Sequence, residues 1–218
     1  MIGNINVYEE QIFKEQFSKT ELYKKLSNDF DELSFEWNFR DYPKSITPRQ
    51  RFGDKEAQQT RLSVVPFYYI NYLLQKNPNS IADIGCGWNI FAKYIPQITG
   101  YDVAGSHYNI LMNNELWWLE QRANTFESLM SINALNYHPL TDLEKILNLY
   151  FNMLKPGGRG YIALNIKRMV EKEDIDFPIE EYIRKVLTYI DVDYVVIDLD
   201  LKKISNHMDG NLRLVADK

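Results

Sequence analysis

The sequence predicts an α/β fold, a doubly wound and mostly parallel sheet with an N-terminal helical extension. Three observations predict it. From Ser80 onward, short apolar runs alternate with amphipathic segments, the pattern of strands joined by crossover helices. The first of these runs, IADIG (81–85), leads straight into a glycine-bearing turn and a helix start, where an open parallel sheet forms its ligand crevice. At the other end, DYVVIDLDL (193–201) and NLRLVAD (211–217) flank the turn signal NHMDG and read as an antiparallel hairpin.

Taken in order, residues 1–60 form the extension and residues 61–218 the sheet domain. Tyr8, Ile12, Phe13 and Phe17 share helical spacing, as do Leu22, Tyr23, Leu26 and Phe30, with Ser18 or Thr20 placed to cap the second helix. The stretch 34–55, with two prolines and a glycine, reads as a loop. A helix is expected from Lys55 to Gln75, with Leu62, Val65, Tyr69 and Leu73 on one face and Pro66 as an interior penalty. QITGYD (97–102) and FESLMSINAL (126–135) are the next strands, and the segment 108–126 between them reads as helical, with Trp117 and Trp118 in the core. DLEKILNLYFNML (142–154) is an amphipathic helix stopped by KPGG, GYIALNI (160–166) a buried strand, and FPIEEYIRKVLTYI (177–190) a further helix.

Composition narrows the functional classes. Of 218 residues, 45% are hydrophobic and 25% charged, which fits a folded globular chain and not a disordered or fibrous one. A net charge of −5 does not favour nucleic acid as a partner, because sequence-independent binding needs a broad positive face. A single cysteine, Cys86, forbids an internal disulfide and a thiolate metal cluster. The N-terminus lacks the regions of a signal peptide and no apolar run nears the length of a membrane span, so a cytoplasmic setting without membrane contact is expected. No metal site is expected, since His107 and His207 have no carboxylate or cysteine at ligand spacing.

The chemistry concentrates in IADIGCGWNIF (81–91). Gly85 and Gly87 permit a tight turn and a close backbone approach to a ligand. Asp83 stands near the strand's carboxyl end, and Asp102 closes the next strand, nineteen positions on, where a carboxylate accepts hydrogen bonds from ribose hydroxyls. A nucleoside-bearing ligand follows. The dinucleotide fingerprint asks for a third small residue where Ile90 stands, and a P-loop asks for Gly-Lys-Ser/Thr, which WNIFAK does not supply. The plain alternative is an ordinary strand-to-helix turn in a flavodoxin-like protein.

DIGCG (83–87), GYD (100–102), SINAL (131–135) and LKPGGRGYIALN (154–165) together resemble successive landmarks of the class I S-adenosylmethionine-dependent methyltransferases. The resemblance spans about residues 65 to 218. It implies a Rossmann-like, seven-stranded sheet ending in an antiparallel inserted strand, S-adenosylmethionine as cofactor, and an unidentified methyl acceptor as partner. It further implies a cofactor site of Asp83, Gly85, Cys86, Gly87, Asn89, Asp102 and Asn133, in which the glycines flank the methionine part, Asp83 holds its amino group and Asp102 grips the ribose. Asn89 stands where the family often carries a third glycine. Trp88, Asn113 and Trp117 are candidate neighbours of adenine.

Candidates for catalysis are Asn133, within SINAL, and Tyr137 and His138, at or just past the strand's carboxyl end. An imidazole there could serve as general base, or His138 could simply fill a turn before Pro139. No nucleophile elbow or close carboxylate pair supports a hydrolase. SINAL also departs from the Pro-Pro-aromatic sequence of amino-methylating DNA enzymes, and the position of Cys86 in the cofactor loop disfavours cysteine-dependent pyrimidine methylation. Arg49, Arg51 and Lys55, and separately Arg159, Lys167 and Arg168, form cationic clusters suited to an anionic acceptor. The expected function is therefore methyl transfer from S-adenosylmethionine, with a non-catalytic module of the same fold as the alternative from another class and nicotinamide-dependent reduction as a third.

Overall fold

The computed structural model describes residues 7–27, 35–38, 59–62, 65–87, 89–103, 109–112, 115–170, 174–190, 192–199 and 211–218. Its centre is one mixed sheet. Six strands of four to twelve residues make it up: β3 (Ile81–Ile84), β4 (Ile98–Asp102), β6 (Phe126–Ile132), β7 (Leu154–Asn165), β8 (Asp193–Leu199) and β9 (Asn211–Asp217). A two-residue edge strand, β5 (Ile110–Leu111), extends it to seven. The spatial order is β5-β4-β3-β6-β7-β9-β8. Every pairing from β5 to β7 is parallel, and β9 enters antiparallel between β7 and β8. The doubly wound, Rossmann-like expectation holds, including the inserted last strand.

Strand residues alternate between two cores, as a sheet covered on both faces requires. Ala82, Ile84, Leu129, Ile162, Leu164 and Leu214 face α4 (Glu115–Glu120), α5 (Leu143–Asn152), α6 (Ile166–Val170) and α7 (Ile179–Leu187). Ile81, Ile98, Met130, Tyr161, Ala163 and Val215 face α1 (Val7–Ser18), α2 (Glu21–Ser27) and α3 (Val65–Leu74). Helix α5 shows why: Leu143, Ile146, Leu147 and Tyr150, spaced i, i+3, i+4 and i+7, are all fully buried.

The extension joins the second core. Phe17 is wholly buried against the rings of Tyr23, Phe67 and Tyr68, and Phe13 meets Tyr69 and Tyr72 edge-on. Thr20 caps α2, its Oγ1 accepting the Tyr23 amide at 3.1 Å, as the sequence predicts.

Four elements differ from expectation. Residues 59–62 form a strand, β2 (Gln59–Leu62), paired antiparallel with β1 (Phe35–Asn38), where a helix from Lys55 and a loop over 34–55 are predicted. Helix α3 starts only at Val65, so Pro66 sits in the first turn, where its missing N–H is harmless. Segment 108–126 holds the short strand β5 before the single-turn-and-a-half helix α4, because a strand of two residues leaves no periodicity to read. KPGG lies inside β7, the longest strand: Gly157 takes φ +78°, and the pairing with β6 shifts register between Phe126 and Ser128. Trp118 is core, but Trp117 is more than half exposed. Phe30, His107, His207, the 206–210 turn and the side chains of Arg49, Arg51, Lys55, Trp88 and Asn113 lie outside the described residues. No helix among the described residues is long and apolar enough to cross a membrane.

Candidate functional site

The chain runs from β3 outward through β4 to β5, then returns to lay β6 on the other side of β3. That reversal opens a crevice at the carboxyl ends of β3 and β6, the place where open α/β sheets bind ligands. Every candidate cofactor residue falls at this edge.

The turn after β3 is built from left-handed residues. Gly85 (φ +74°), Gly87 (φ +54°) and Asn89 (φ +52°) bend the chain into a 3-10 turn, Ile90–Lys93. Asparagine is one of the few non-glycine residues that tolerates this conformation, which suits Asn89 to the turn. The Gly85 and Cys86 amides both donate to Tyr101 O, at 2.7 and 3.1 Å, which ties the turn to the end of β4. Its other neighbour is the turn after β6: a Cβ on Gly85 would stand 2.0 Å from Ala134 Cβ. On Gly87 a Cβ would meet nothing within 4 Å, so its backbone borders open space.

The glycine turn and Asp102 do converge. Asp102, almost fully buried, accepts the Gly87 amide on Oδ2 at 2.8 Å, and Asn109 Nδ2 donates to Gly87 O at 2.9 Å. Gly100 makes this approach possible, because a Cβ there would collide with Cys86 Sγ at 2.5 Å and Asn89 Cγ at 2.7 Å. Gly100, Asn109 and Ala134 carry the geometry of the turn and were not singled out from sequence; Gly100 and Ala134 fall inside the GYD and SINAL landmarks, and nothing local marks Asn109.

Asp83 is the electrostatic centre. It pairs in register with Gly100 on the face that also carries Asp102, and it is buried. Among the described residues nothing donates a hydrogen bond to its carboxylate. Burial first, and the charge of Asp102 second, push its pKa up to about 8. Burial, with Asp83 and Asp102 adding to it, also holds the Cys86 thiol far above the usual range, so Cys86 is no nucleophile at neutral pH.

On the β6 side, Ser131 Oγ donates to Ile84 O at 2.9 Å and fastens the two strand ends together. Asn133 (φ +53°) ends the strand at the rim, exposed, its amide donating to Ala163 O. Tyr137 follows in a 3-10 turn, Leu135–Tyr137, and accepts a hydrogen bond from Arg168 Nη1 at 3.3 Å. His138 Nε2 lies 2.9 Å from Glu115 Oε2, the first residue of α4. Glu115 is a partner that the sequence, 23 positions away, could not reveal.

The second cationic cluster is not one cluster. Lys167 and Arg168 sit in α6 at the carboxyl end of β7, but Arg159 lies six residues before that strand's end. There it stacks on Tyr72 at 4.1 Å and pairs with Asp217 at 2.9 Å. A strand rises about 3.3 Å per residue, so the two ends are far apart. No group of three or more His, Cys, Asp or Glu placed to hold a metal occurs among the described residues.

By sequence the chain matches no protein-family model and no curated protein. Solved structures do resemble it. A SAM-dependent methyltransferase from Archaeoglobus fulgidus is 15% identical with a TM-score of 0.47, over 69% of this chain and 90% of that one. The plantazolicin methyltransferase in complex with SAH is 15% identical with a TM-score of 0.45, over 69% and 79%. The CMeT domain of the citrinin polyketide synthase is 13% identical with a TM-score of 0.46; there the alignment covers 70% of this chain and 51% of the other.

Proposed function

We propose that the chain is a methyltransferase that binds S-adenosylmethionine at the crevice between β3 and β6. The observation that carries this reading is Asp83, a buried carboxyl with no hydrogen-bond donor among the described residues, beside a glycine turn whose Gly87 borders open space. A buried carboxylate calls for a cation, and the ammonium of a methionine moiety is one. The ribose falls to Asp102, which already lies within 2.8 Å of the turn. Backbone of Gly85, Cys86, Gly87 and Asn89 lines the methionine part, and Asn133 faces the crevice from the β6 rim. These are the residues that the sequence resemblance implies.

The cofactor supplies a methyl group on a sulfonium, a good leaving group, and the protein's share is positioning and electrostatics. Asp83 would hold the amino group and neutralise its positive charge, and Asp102 would hold the ribose. The acceptor is unidentified; Lys167 and Arg168 on α6 favour an anionic one. The extension, residues 1–60, is proposed to shape the acceptor side, and a cytoplasmic setting fits the single cysteine.

Calorimetric titration with S-adenosylmethionine and S-adenosylhomocysteine tests the reading. Micromolar binding that Asp102→Ala abolishes is expected. Failure of both compounds to bind would leave the non-catalytic module as the better account.

A further inference from the structure

We propose that Asn109 is a positioning residue of the cofactor site, which holds the Gly87 backbone in the one conformation that orients Asp102 toward the nucleoside half of the ligand; this rests on the methyltransferase reading above. Asn109 directly precedes β5, and its Nδ2 donates to Gly87 O at 2.9 Å across 22 positions of sequence. Asp102, the last residue of β4, accepts the Gly87 amide on Oδ2 at 2.8 Å. The two residues stand at the two ends of one connection. It is short, residues 103–109, where parallel neighbours ordinarily need a crossover of about a dozen residues or more. That length suffices because β5 pairs only with Tyr101 and Asp102, the last two residues of β4, so both ends of the connection lie at the carboxyl edge of the sheet. Gly87 is therefore gripped from both of them.

Holding both of its polar groups matters because of where they lie in the chain. The N–H belongs to the peptide before Gly87 and the C=O to the peptide after it, so fixing the two planes fixes the φ and ψ between them. Glycine needs that restraint most: without a Cβ it has the widest choice of backbone conformations, and here it takes φ +54° beside open space. Cys86 Sγ, 3.7 Å from Gly87 O, is too weak a donor to replace the amide. Loss of the Asn109 donor would free the peptide after Gly87 to rotate, and the N–H that orients the Asp102 carboxylate would turn with it. The ligand would then have to order the turn as it binds, which lowers affinity. The Gly85 and Cys86 amides are held differently, by Tyr101 O, and do not depend on Asn109.

Asn109→Ala and Asn109→Leu test the assignment. Leucine keeps the bulk of the amide without its donor, and it serves alone if the alanine variant does not fold. Amide exchange is followed by 15N NMR at Gly87 and Gly85 in the ligand-free full chain, Gly87 being identified as the one glycine that follows a cysteine. In the variants Gly87 is expected to exchange about tenfold faster or more, while Gly85 changes by no more than about twofold. Calorimetry with S-adenosylhomocysteine is expected to show affinity lower by about fivefold to tenfold, the effect of one hydrogen bond. A merely structural role would speed both amides alike. That result, or unchanged affinity in variants of a parent that binds, would overturn the role of Asn109 and leave the cofactor reading intact. A parent that binds neither S-adenosylhomocysteine nor S-adenosylmethionine would overturn the cofactor reading, and the role of Asn109 with it.

Discussion

Asp83 sets a pH dependence that distinguishes this site from a chance turn. Its folded pKa of about 8 lies above the ordinary carboxyl value of 3.8, so the folded protein holds an extra proton between those limits. Folding stability is therefore greatest below about pH 4 with respect to this group and falls as pH rises toward 8, by at most about 1.4 kcal/mol per pH unit. Asp83→Asn cannot ionise and escapes that loss. Denaturant melts of the two proteins at pH 5, 6, 7 and 8 are expected to diverge, the variant gaining on the parent at each step; a constant difference would show that Asp83 is ionised throughout. The same proton must leave when a cationic ligand binds. Calorimetry at pH 7 in buffers of differing ionisation enthalpy is expected to report release of nearly one proton on S-adenosylmethionine binding, and none in Asp83→Asn. From sequence, Asp83 was legible as a residue at a strand end, but its burial was not, since burial depends on what lies across the sheet.

At the scale of elements, the turn after β3 contains two glycines that look alike in sequence and differ in what surrounds them. Both have positive φ, so alanine strains either one by about 1–2 kcal/mol. In Gly85→Ala the new methyl also strikes Ala134 Cβ, a contact of 2.0 Å that forces the two turns apart. Thermal or denaturant unfolding is expected to show a loss of about 3 kcal/mol or more. Gly87→Ala meets no atom within 4 Å and keeps most of its stability, but its methyl projects into the proposed cofactor space, so cofactor affinity should fall further than folding does. The reverse ranking would move the cofactor off Gly87. Long elements with strong periodicity, such as α5 and α7, were legible because their apolar spacing repeats over several turns. The two-residue strand β5 and the strand pair β1–β2 were not: four residues or fewer carry no period, and the partners within β1–β2 lie more than twenty residues apart.

The whole molecule is a sheet between two cores, and the extension is part of one of them. Phe17 of α1 packs on Phe67 and Tyr68 of α3, which in turn cover β6 and β7. Phe17→Ala is expected to cost about 3–5 kcal/mol and to lower the single unfolding transition of sheet and extension together. Two transitions, with only the first shifted, would show that the extension folds by itself. Alternation of apolar runs and amphipathic helices, the glycine turn and the terminal hairpin were readable without coordinates, because backbone period, turn chemistry and burial of one face are properties of short stretches of chain. What only the tertiary structure decided is which stretches meet: Gly87 with Asp102, Gly85 with Ala134, His138 with Glu115, and Arg159 with Asp217 instead of Lys167 and Arg168. Those contacts follow from strand order and crossover path, and a local pattern holds no information about which strand will lie beside which.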